Sequence, residues 1–557
     1  MADTPIAYGL AKKQRDIGVA EFFSRNRHLL GFDNKRKALL TTIKEAVDNS
    51  LDACEEAGIL PEVSVEIIDL QNDRFRVIVE DNGPGIIKKQ IPQVFAKLLY
   101  GSKFFKLSQT RGQQGIGISA SVMYGQLTTG KPAKITSKID PTHPSHYYEL
   151  TINTQKNAPE IVVEKEVDWK KDRGTRIEID LEGAYQAGFQ SVDQYLKQTA
   201  IVNPHVTITY VNPKSEQILF QRATEIMPHK PVEIKPHPYG VELGVMMNML
   251  KNTEARSLQS FLTNEFSRVG PGTAKEICKN ASLLPNTKPA ELSRDMAEKL
   301  VQGIQKTRII APPADCISPI GAELLEKGLR KEINAEFYAA TSRPPSVYRG
   351  NPFIVEAGIA YGGEQEVEAA ARILRFANRV PLLYQQSACA VTRSIINTAW
   401  RNYGLSQSAG ALPVGPLTII VHIASVWVPF TSESKEAIAH YPEIVKEIKL
   451  ALQDCGRKLS SYIHKKHRIL SESKKRSYIE TYIPHIGDAL RELLKLKKEE
   501  QEKVEKLLKE LLEKHRGELE KIGVDNPEYD EELAKIGKGD TSEEAEGNEN
   551  AGEKEND

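Results

Sequence analysis

The chain has 557 residues, of which 40% are hydrophobic and 27% are charged, and this length predicts roughly three to four soluble domains. Lys and Arg together number 75, as do Asp and Glu, so no global charge attracts nucleic acid or a membrane, and any DNA contact must come from local patches. The five cysteines form no CxxC pair, which argues against disulfides and zinc sites. Without a recognisable signal peptide or long apolar run, we expect a cytoplasmic location and no membrane contact.

After a loose N-terminal arm and a short amphipathic helix near Val19, residues 44–53 predict a helix with two different faces. Glu45, Asn49 and Asp52 follow at i, i+4 and i+7 and share one face, while the opposite side is apolar. Two carboxylates and an amide aligned in this way can hold a hydrated divalent cation and activate a water. The alternative is a solvated polar face.

Two strands are predicted next, at 63–69 and 74–80, and the second runs directly into Asp81-Asn82-Gly83-Pro84-Gly85. The glycines and the proline end the strand sharply and leave Asp81 at its tip. A carboxylate in that place can accept a hydrogen bond from an exocyclic amine such as that of adenine. The alternative is an ordinary turn.

A glycine-rich stretch at 111–120 runs into a predicted helix at 118–124. Its backbone amides can approach an anion closely, with the helix N-terminus facing that anion. It is not a Walker A loop, and it lacks the context of a Rossmann motif. Further strands are predicted at 133–138, 147–153, 160–166 and 173–180, and Thr175 in the last of them could lie beside Asp81.

Four motifs thus follow one another: Glu-x-x-x-Asn on a helix, Asp-x-Gly-x-Gly after a strand, the glycine-rich stretch, and Gly-Thr before a strand. In this order they resemble the GHKL ATPases, the family of gyrase, the heat-shock chaperones, MutL and the histidine kinases. The resemblance implies ATP and Mg²⁺ as cofactors, with Glu45 as general base and Asn49 as the Mg²⁺ ligand. It implies that Asp81 recognises adenine by accepting a hydrogen bond from its exocyclic amine. It assigns Asp52 no clear role. The other ATP-binding residues that it implies are Gly85, Ser102, Lys103, Gly112, Gln113, Gln114, Gly115, Ile116, Gly117 and Thr175.

A proline-dense linker at 228–238 leads into a helical block. A helical stretch at 258–266 is followed by the stretch 269–277, which begins with the turn Gly270-Pro271-Gly272. Two apolar helices around such a turn predict a helix–two-turn–helix module. Such turns offer backbone amides to DNA phosphates, and the basic residues nearby are Arg268, Lys275 and Lys279. The alternative is a plain helical hairpin.

An α/β domain is predicted after Pro312, with strands at 353–360, 374–378 and 417–425 alternating with helices at 366–373, 389–400 and 435–439. In GHKL topoisomerases and MutL, this position holds a transducer domain whose lysine follows a strand and reaches the γ-phosphate. Lys435 fits that description and is predicted to act in ATP binding and catalysis. The alternative is a solvated lysine at the start of a helix.

Residues 443–511 predict a long, charge-rich helical stalk. Its basic part includes Lys465, Lys466 and Arg468, which are candidates for DNA contact. The apolar aromatic stretch 478–484, with Tyr478 and Tyr482, is predicted to interrupt the helix and to dock another chain. Helix is expected to resume as far as residue 514, and the acidic end from residue 539 is predicted to be disordered.

The order of these parts resembles the B subunits of DNA topoisomerase VI, a family of type IIB topoisomerases. Short sequence segments outside the ATPase motifs also resemble this family, among them 20–23, 235–240 and 352–358. Trp400-Arg401-Asn402-Tyr403 is similar to a Trp-Lys-x-Tyr motif that this family uses in DNA sensing. Trp400, Arg401 and Tyr403 are therefore further DNA-binding candidates, although Arg replaces Lys.

The predicted fold is a multidomain α+β protein with a GHKL (Bergerat) ATPase α/β sandwich, a helical helix–two-turn–helix domain, and an α/β transducer domain with a long C-terminal stalk helix. The predicted boundaries are 1–28 for the arm, 29–230 for the ATPase, 231–311 for the helix–two-turn–helix domain, 312–470 for the transducer, 471–500 for the stalk end that docks an A subunit, and 501–557 for a charged helical extension and tail.

The resemblance implies an ATP-hydrolysing topoisomerase subunit that dimerises on binding ATP. Its dimerisation would gate the passage of double-stranded DNA, and so the relaxation of supercoils, through a break made by a separate A subunit in an A2B2 heterotetramer. The chain carries no acidic cluster of the Toprim type. Two alternatives remain, namely another GHKL clamp (a MutL-like repair ATPase or a chaperone) and a DNA-binding scaffold without enzymatic activity.

Overall fold

A computed structural model describes residue 14 and residues 17–102, 107–112, 115–432 and 435–515. The chain divides into two compact units. The first contains residues up to Ala360, Arg372–Ile395 and Thr418–Ala451, and the second contains Tyr361–Ala371, Ile396–Leu417 and the chain from Leu452 onward. Among the described helices, none combines the length and the apolar character that crossing a membrane requires.

The helices are α1 Val19–Arg25, α2 Lys35–Ala57, α3 Ile91–Ala96, α4 Gly117–Thr129, α5 Val192–Val202, α6 Leu243–Asn252, α7 Leu258–Glu265, α8 Pro271–Asn280, α9 Arg294–Lys306, α10 Ala322–Glu332, α11 Ala390–Ile396, α12 Pro442–Leu494 and α13 Lys498–His515. The strands are β1 Glu62–Asp69, β2 Arg74–Asp81, β3 Ala133–Lys138, β4 Ser145–Asn153, β5 Ala158–Val167, β6 Gly174–Glu182, β7 Thr207–Val211, β8 Gln217–Phe220, β9 Phe337–Ser342, β10 Ser346–Tyr348, β11 Asn351–Tyr361, β12 Arg372–Ala377, β13 Val380–Pro381, β14 Ser406–Gln407, β15 Pro413–Val414 and β16 Leu417–Ser425.

An eight-stranded sheet in the order β5-β4-β3-β6-β2-β1-β7-β8 forms the N-terminal part of the first unit. Its pairs are antiparallel except β1 with β7. Alternate residues of each inner strand, such as Val63, Val65 and Ile67 in β1, are buried, as expected for a sheet with one covered face. Helices α2, α4 and α5 pack on that face. All the strands predicted in this part are confirmed.

Helix α2 carries the polar face predicted from the sequence. Its start is capped by Asn34, whose Oδ1 accepts a hydrogen bond from Lys37 N at 2.8 Å, and it ends at Gly58 in a left-handed conformation (φ 70°). Ile43, Val47 and Leu51 are fully buried against the sheet. The apolar stripe therefore fixes which way the polar side chains point.

Four helices, α6 to α9, enclose a separate core that contains Phe261, Leu262, Ile277 and Leu300. Helices α7 and α8 are the predicted pair, and Pro271 opens α8 directly after Gly270, as a proline at the first helical position should. Before this block, residues 221–237 contain neither helix nor strand. The paired helices predicted there are confirmed.

A second sheet has the order β10-β11-β16-β12-β13, with β9 also pairing with β11. Strands β12 and β16 are parallel, and α11 lies in the connection between them, so the predicted βαβ pattern is confirmed. The helix predicted at 366–373 is wrong. Its Glu- and Ala-rich composition favours helix, but the backbone of β12 pairs with β16 from Arg372 onward and this tertiary pairing overrides local propensity.

Two other predicted helices also need correction. The helix predicted at 389–400 is shorter, because α11 ends at Ile396 and a short 3-10 turn follows at Trp400–Tyr403. The helix predicted at 435–439 is a loop, closed by a bridge between Phe430 and Ile438. A helix cannot begin at Lys435, whose φ is +52°.

Helix α12 runs unbroken from Pro442 to Leu494 and contains Pro484, so the predicted interruption of the stalk at 478–484 is wrong. The chain instead turns at residues 495–497, and α13 folds back on the last turns of α12. There Gln501 Nε2 donates a hydrogen bond to Asp488 Oδ1 at 3.0 Å, while Ile483 and Leu512 are buried. Two predicted segments, the tail 516–557 and residues 1–13, 15 and 16 of the arm, lie outside the described residues.

Candidate active site

A cavity of about 750 Å³ opens between the polar face of α2, the end of β2, the start of α4 and the loop that carries Lys435. The predicted residues that line it are Glu45, Asn49, Asp81, Gly85, Ser102, Gly112, Gly115, Ile116, Gly117, Thr175 and Lys435. The predicted residues Lys103, Gln113 and Gln114 lie outside the described part of the chain. Four motifs distant in sequence thus meet at one cavity.

Asp81 lies buried at one end of this cavity and is held by three donors. Its Oδ1 accepts hydrogen bonds from Gly83 N at 2.9 Å and Thr175 N at 3.1 Å, and its Oδ2 accepts one from Ser50 Oγ at 2.8 Å. Burial raises the pKa of Asp81, and these hydrogen bonds oppose the rise. A carboxylate has about four acceptor positions, so one remains for a donor such as an exocyclic amine.

Two glycines are required beside Asp81. Gly85 has a φ of +70°, and a Cβ there would lie 2.0 Å from Lys138 O. Gly174 has a φ of +134°, and its Cβ would lie 2.1 Å from Asp81 O. Any side chain at either position would push the neighbouring backbone away, so both glycines keep the turn tight around the carboxylate.

At the other end of the cavity, α4 begins at Gly117. The N–H groups of its first turn have no intrahelical partners, and among the described residues no side chain caps the helix at Ile116. Gly112, Gly115 and Ile116 line the cavity beside it. Free N–H groups and the positive end of the helix dipole together favour an anion such as a phosphate.

Glu45 and Asn49 project from α2 toward this anion-binding end. A Cβ on Gly117 would lie only 1.7 Å from Glu45 Oε2, so the carboxylate rests directly against the start of α4. The Asn49 side chain is exposed to the cavity, and its Oδ1 is the nearest atom to a Cβ built on Gly112, at 3.8 Å. A carboxylate and an amide oxygen thus share the space beside the helix N-terminus.

The family resemblance implies that Glu45 acts in ATP hydrolysis. Replacing Gly117 by alanine is then expected to displace the Glu45 carboxylate and to lower kcat for that reaction by about 10- to 100-fold, the scale of a 1 Å misplacement. The helix itself should not weaken, because alanine is a better helix former than glycine. Steady-state ATPase assays would measure the loss. Gly244→Ala in α6 is the matched control, since nothing lies within 4 Å of the added methyl group. Equal activity of both variants would contradict the expectation.

Lys435 enters the cavity from the loop 429–439. Backbone hydrogen bonds from Thr431 N to Ala437 O (2.9 Å) and from Ala439 N to Pro429 O (2.8 Å) close this loop. The Lys435 Nζ donates a hydrogen bond to Arg111 O at 3.4 Å. Burial lowers the pKa of Lys435, and the negative charge of Glu45 opposes that change. The ammonium group thus lies in the electrostatic field of the Glu45 carboxylate.

Asp52 does not line the cavity, although it shares the helix face of Glu45 and Asn49. Its Oδ1 accepts a hydrogen bond from Arg111 Nη1 at 2.8 Å, and both side chains are buried. The guanidinium of Arg111 also contacts Glu55 at 2.7 Å and Asn203 Oδ1 at 2.6 Å. Asp52 therefore holds Arg111, the residue directly before Gly112, in place.

Several residues that build the site have a role that no motif of the sequence shows. Ser50 orients Asp81, and Arg111 anchors the glycine-rich stretch. Lys37 and Glu436 both line the cavity and form an ion pair with each other. Carboxylates at i and i+3 on α2, Asp52 and Glu55, were a signal that a buried cation was needed, but nothing local identified Arg111 as that cation.

The predicted DNA-binding residues differ in exposure. All three basic residues predicted near the turn between α7 and α8 are exposed. Arg268 lies in the turn itself and Lys275 in the first half of α8, whereas Lys279 lies in the last turn of α8, at the end away from the turn. Trp400 and Tyr403 are buried, at 0% and 4% exposure, so a direct DNA contact by either ring is not supported, because both rings pack in the protein interior. Arg401 between them is exposed, and its Nε donates a hydrogen bond to Gln407 O at 2.7 Å.

The stalk carries the remaining candidates. Lys465 and Arg468 are exposed on α12, and Lys466 is half-buried. Tyr478 and Tyr482 are 65% and 46% exposed, with ring centroids 4.7 Å apart and hydroxyl groups 3.1 Å apart. This aromatic pair is available on the surface of the helix, as a docking residue must be.

A sheet covered on one face, an Asp at a strand end and an uncapped helix beside a Glu and an Asn define a GHKL-type ATPase. The family model for histidine kinase-, DNA gyrase B- and HSP90-like ATPases matches residues 34–183, and the model for the transducer of the topoisomerase VI B subunit matches residues 312–476.

Curated relatives extend this similarity over most of the chain. The chain is 52% identical over 491 residues to the B subunit of type 2 DNA topoisomerase 6 from Methanococcoides burtonii, covering 88% of this chain and 79% of that protein. It is 48% identical over 486 residues to the protein of the same name from Archaeoglobus fulgidus, covering 87% and 80%. The chain belongs to the topoisomerase VI B subunit family. A MutL-like ATPase or a chaperone is not favoured.

Proposed function

We propose that this chain is the ATP-binding and ATP-hydrolysing subunit of a type IIB DNA topoisomerase. The observation that carries the proposal is that Lys435, from the part of the chain matched by the transducer model, enters the cavity formed by the part matched by the ATPase model. A nucleotide in that cavity would touch both parts at once.

The cavity has a different chemistry at each end, and each end suits one part of ATP. Asp81 would accept a hydrogen bond from the exocyclic amine of adenine, with Thr175 and Gly85 shaping its surroundings. The phosphates would lie at the uncapped start of α4, beside Ser102 and the glycines 112, 115 and 117. Lys103, Gln113 and Gln114 are proposed to join them on the strength of the family resemblance alone.

The donor set also fits a magnesium ion. Mg²⁺ is usually held by one or two protein ligands together with substrate phosphates rather than by a cage of protein ligands. Asn49 offers an amide oxygen at the phosphate end of the cavity and would be the protein ligand. When bound, the ion neutralises charge on the phosphates.

Glu45 is proposed to act as the general base. Its carboxylate lies against the start of α4, where it can orient a water in line with the γ-phosphate and take the proton of that water as the bond forms. Lys435 would contact the γ-phosphate and stabilise the charge that develops there. These two residues are the proposed catalytic groups.

ATP binding is proposed to join two copies of the chain through their N-terminal domains, as ordered closure on a nucleotide does in other switches. An A subunit would complete an A2B2 heterotetramer and cut double-stranded DNA, docking at Tyr478 and Tyr482. The exposed side chains of Arg268, Lys275, Lys279, Arg401, Lys465 and Arg468, together with half-buried Lys466, support DNA phosphate contacts.

Relaxation of supercoiled DNA by the purified chain, mixed with a candidate A subunit, tests the proposal. Relaxation is expected only when the A subunit, ATP and Mg²⁺ are all present, and EDTA or ADP in place of ATP should abolish it. Dimerisation on a non-hydrolysable ATP analogue, measured without the A subunit, separates the alternatives. Dimerisation without relaxation would favour a different GHKL clamp, and no response to nucleotide would favour a DNA-binding scaffold.

A further inference from the structure

Glu436 directly follows Lys435 and makes an ion pair of its own with the ATPase domain. Its buried carboxylate lies 2.5 Å from the Nζ of Lys37, in the first turn of α2. The side chains of Lys37 and Glu436 are 12% and 7% exposed. Because water is largely excluded from this pair, its electrostatic attraction is screened far less than that of a surface ion pair.

The groups around Lys37 keep it charged. Its Nζ also lies 3.1 Å from Asp33 and 5.3 Å from the ring centroid of Tyr384. Burial by itself would lower the pKa of Lys37, but the ion pairs with Glu436 and Asp33 outweigh it, and the pKa is raised. Lys37 therefore stays charged at neutral pH.

The backbone of the loop links the position of Glu436 to the direction of the Lys435 side chain. The loop is closed at its base by backbone hydrogen bonds, and Lys435 near its tip has the left-handed φ of +52°. That conformation is uncommon for a residue other than glycine, and here Lys435 N donates a hydrogen bond to Ser432 O at 3.1 Å. Two adjacent side chains then anchor this part of the loop, because Lys435 reaches the carbonyl of Arg111 while Glu436 reaches the start of α2.

We propose that the Lys37–Glu436 ion pair positions Lys435 for contact with the γ-phosphate. Glu436 is a positioning residue, since it touches Lys37 rather than any reacting atom. The proposal rests on the proposed function, in which Lys435 contacts the γ-phosphate. It predicts that loss of the pair affects nucleotides with a γ-phosphate and leaves those without one unaffected.

The test compares nucleotide affinities of the full chain with Lys37→Met, with Glu436→Gln and with both changes. Each single variant should bind a non-hydrolysable ATP analogue about 10-fold more weakly, the loss expected when a charged contact is misplaced, and should lower kcat for ATP. The affinity for ADP should stay within about 2-fold of the wild-type value, because ADP has no γ-phosphate.

The double variant should lose no more than either single variant, because both changes break the same interaction. Lys35→Met is the matched control: it removes an exposed ion pair with Asp73 and Glu182 from the same turn of α2 and should leave both affinities unchanged. Equal weakening of ADP and of the ATP analogue would overturn the proposal, and so would a loss in Lys37→Met alone, which would mean that Lys37 touches the nucleotide directly.

Lys435→Ala separates this proposal from the one on which it rests. If Lys435→Ala weakens binding of the ATP analogue but not of ADP, while the Lys37 and Glu436 variants bind both as the wild type does, the ion pair has no positioning role. If Lys435→Ala itself does not discriminate between the two nucleotides, the γ-phosphate contact of the proposed function is wrong.

Discussion

Glu45→Gln is expected to lower kcat for ATP hydrolysis by about 100-fold or more, because a positioned general base contributes about 10²- to 10⁴-fold to a proton transfer. Glutamine has nearly the shape of glutamate, so it should still fit against Gly117, where the wild-type carboxylate rests. It cannot accept the proton of the attacking water. Steady-state ATPase assays at saturating ATP and direct measurement of nucleotide affinity would separate the two effects.

Nucleotide binding and dimerisation should persist in this variant, since neither requires a proton to move. The variant should therefore accumulate as an ATP-bound dimer and support at most one round of DNA passage. Glu66→Gln in β1, a residue that does not line the cavity, is the control and should hydrolyse ATP as the wild type does. Wild-type turnover by Glu45→Gln would remove Glu45 from its proposed role.

The elements that the sequence predicted well are those specified by their own residues. Strand β3 was predicted at 133–138 and occupies Ala133–Lys138, because alternation and β-branched residues suit a sheet with one buried face. The helix predicted at 366–373 failed because pairing with β16 decides the state of β12, and β16 begins more than forty residues further along the chain. The composition of residues 366–373 by itself does not indicate that a strand so far along the chain will pair with them.

At the candidate active site too, features set by neighbouring residues were predictable and contacts between distant residues were not. Glu45, Asn49, Asp81 and Gly117 belong to short motifs whose spacing places them on a helix face, at a strand end or at a helix start, and all four line the cavity. The contacts that orient them join residues far apart in the chain. Ser50 reaches Asp81, and Lys37 reaches Glu436, and only the folded chain brings these partners together.

Arg111 is the strongest example of such a partner, and Arg111→Met is expected to lower the free energy of unfolding by about 3–5 kcal/mol, the usual cost of removing one member of a buried ion pair. The wild-type guanidinium contacts Asp52 and Glu55 and donates to Asn203. Methionine fills most of its volume but removes the guanidinium that the buried Asp52 and Glu55 share. Urea unfolding of the full chain, followed by the fluorescence change of its first transition, would measure the loss.

Arg330→Met is the matched control for this change, because Arg330 pairs with Glu326 on the surface of α10, where the two side chains are 54% and 32% exposed. Exposed pairs contribute only about 0–1 kcal/mol. A loss below about 1 kcal/mol for Arg111→Met as well would show that water or neighbouring groups compensate the buried carboxylates. The difference in unfolding free energy lost by Arg111→Met and by Arg330→Met therefore decides whether the buried ion pair stabilises the fold.

The pH dependence of stability gives a second readout of the same interaction. Burial alone would raise the pKa of Glu55, but the charge of Arg111, with hydrogen bonds from His205 and Arg111, holds it well below the ordinary value of 4.5. A lowered pKa stabilises the folded chain above the unfolded value, and that contribution is lost as the pH falls below about 4.5 toward the folded pKa. In Arg111→Met, burial acts unopposed by that cation, the pKa of Glu55 rises, and this contribution disappears. The difference in stability between wild type and variant should therefore be largest at neutral pH and should shrink as the solution is acidified, whereas a purely steric defect would give the same difference at every pH.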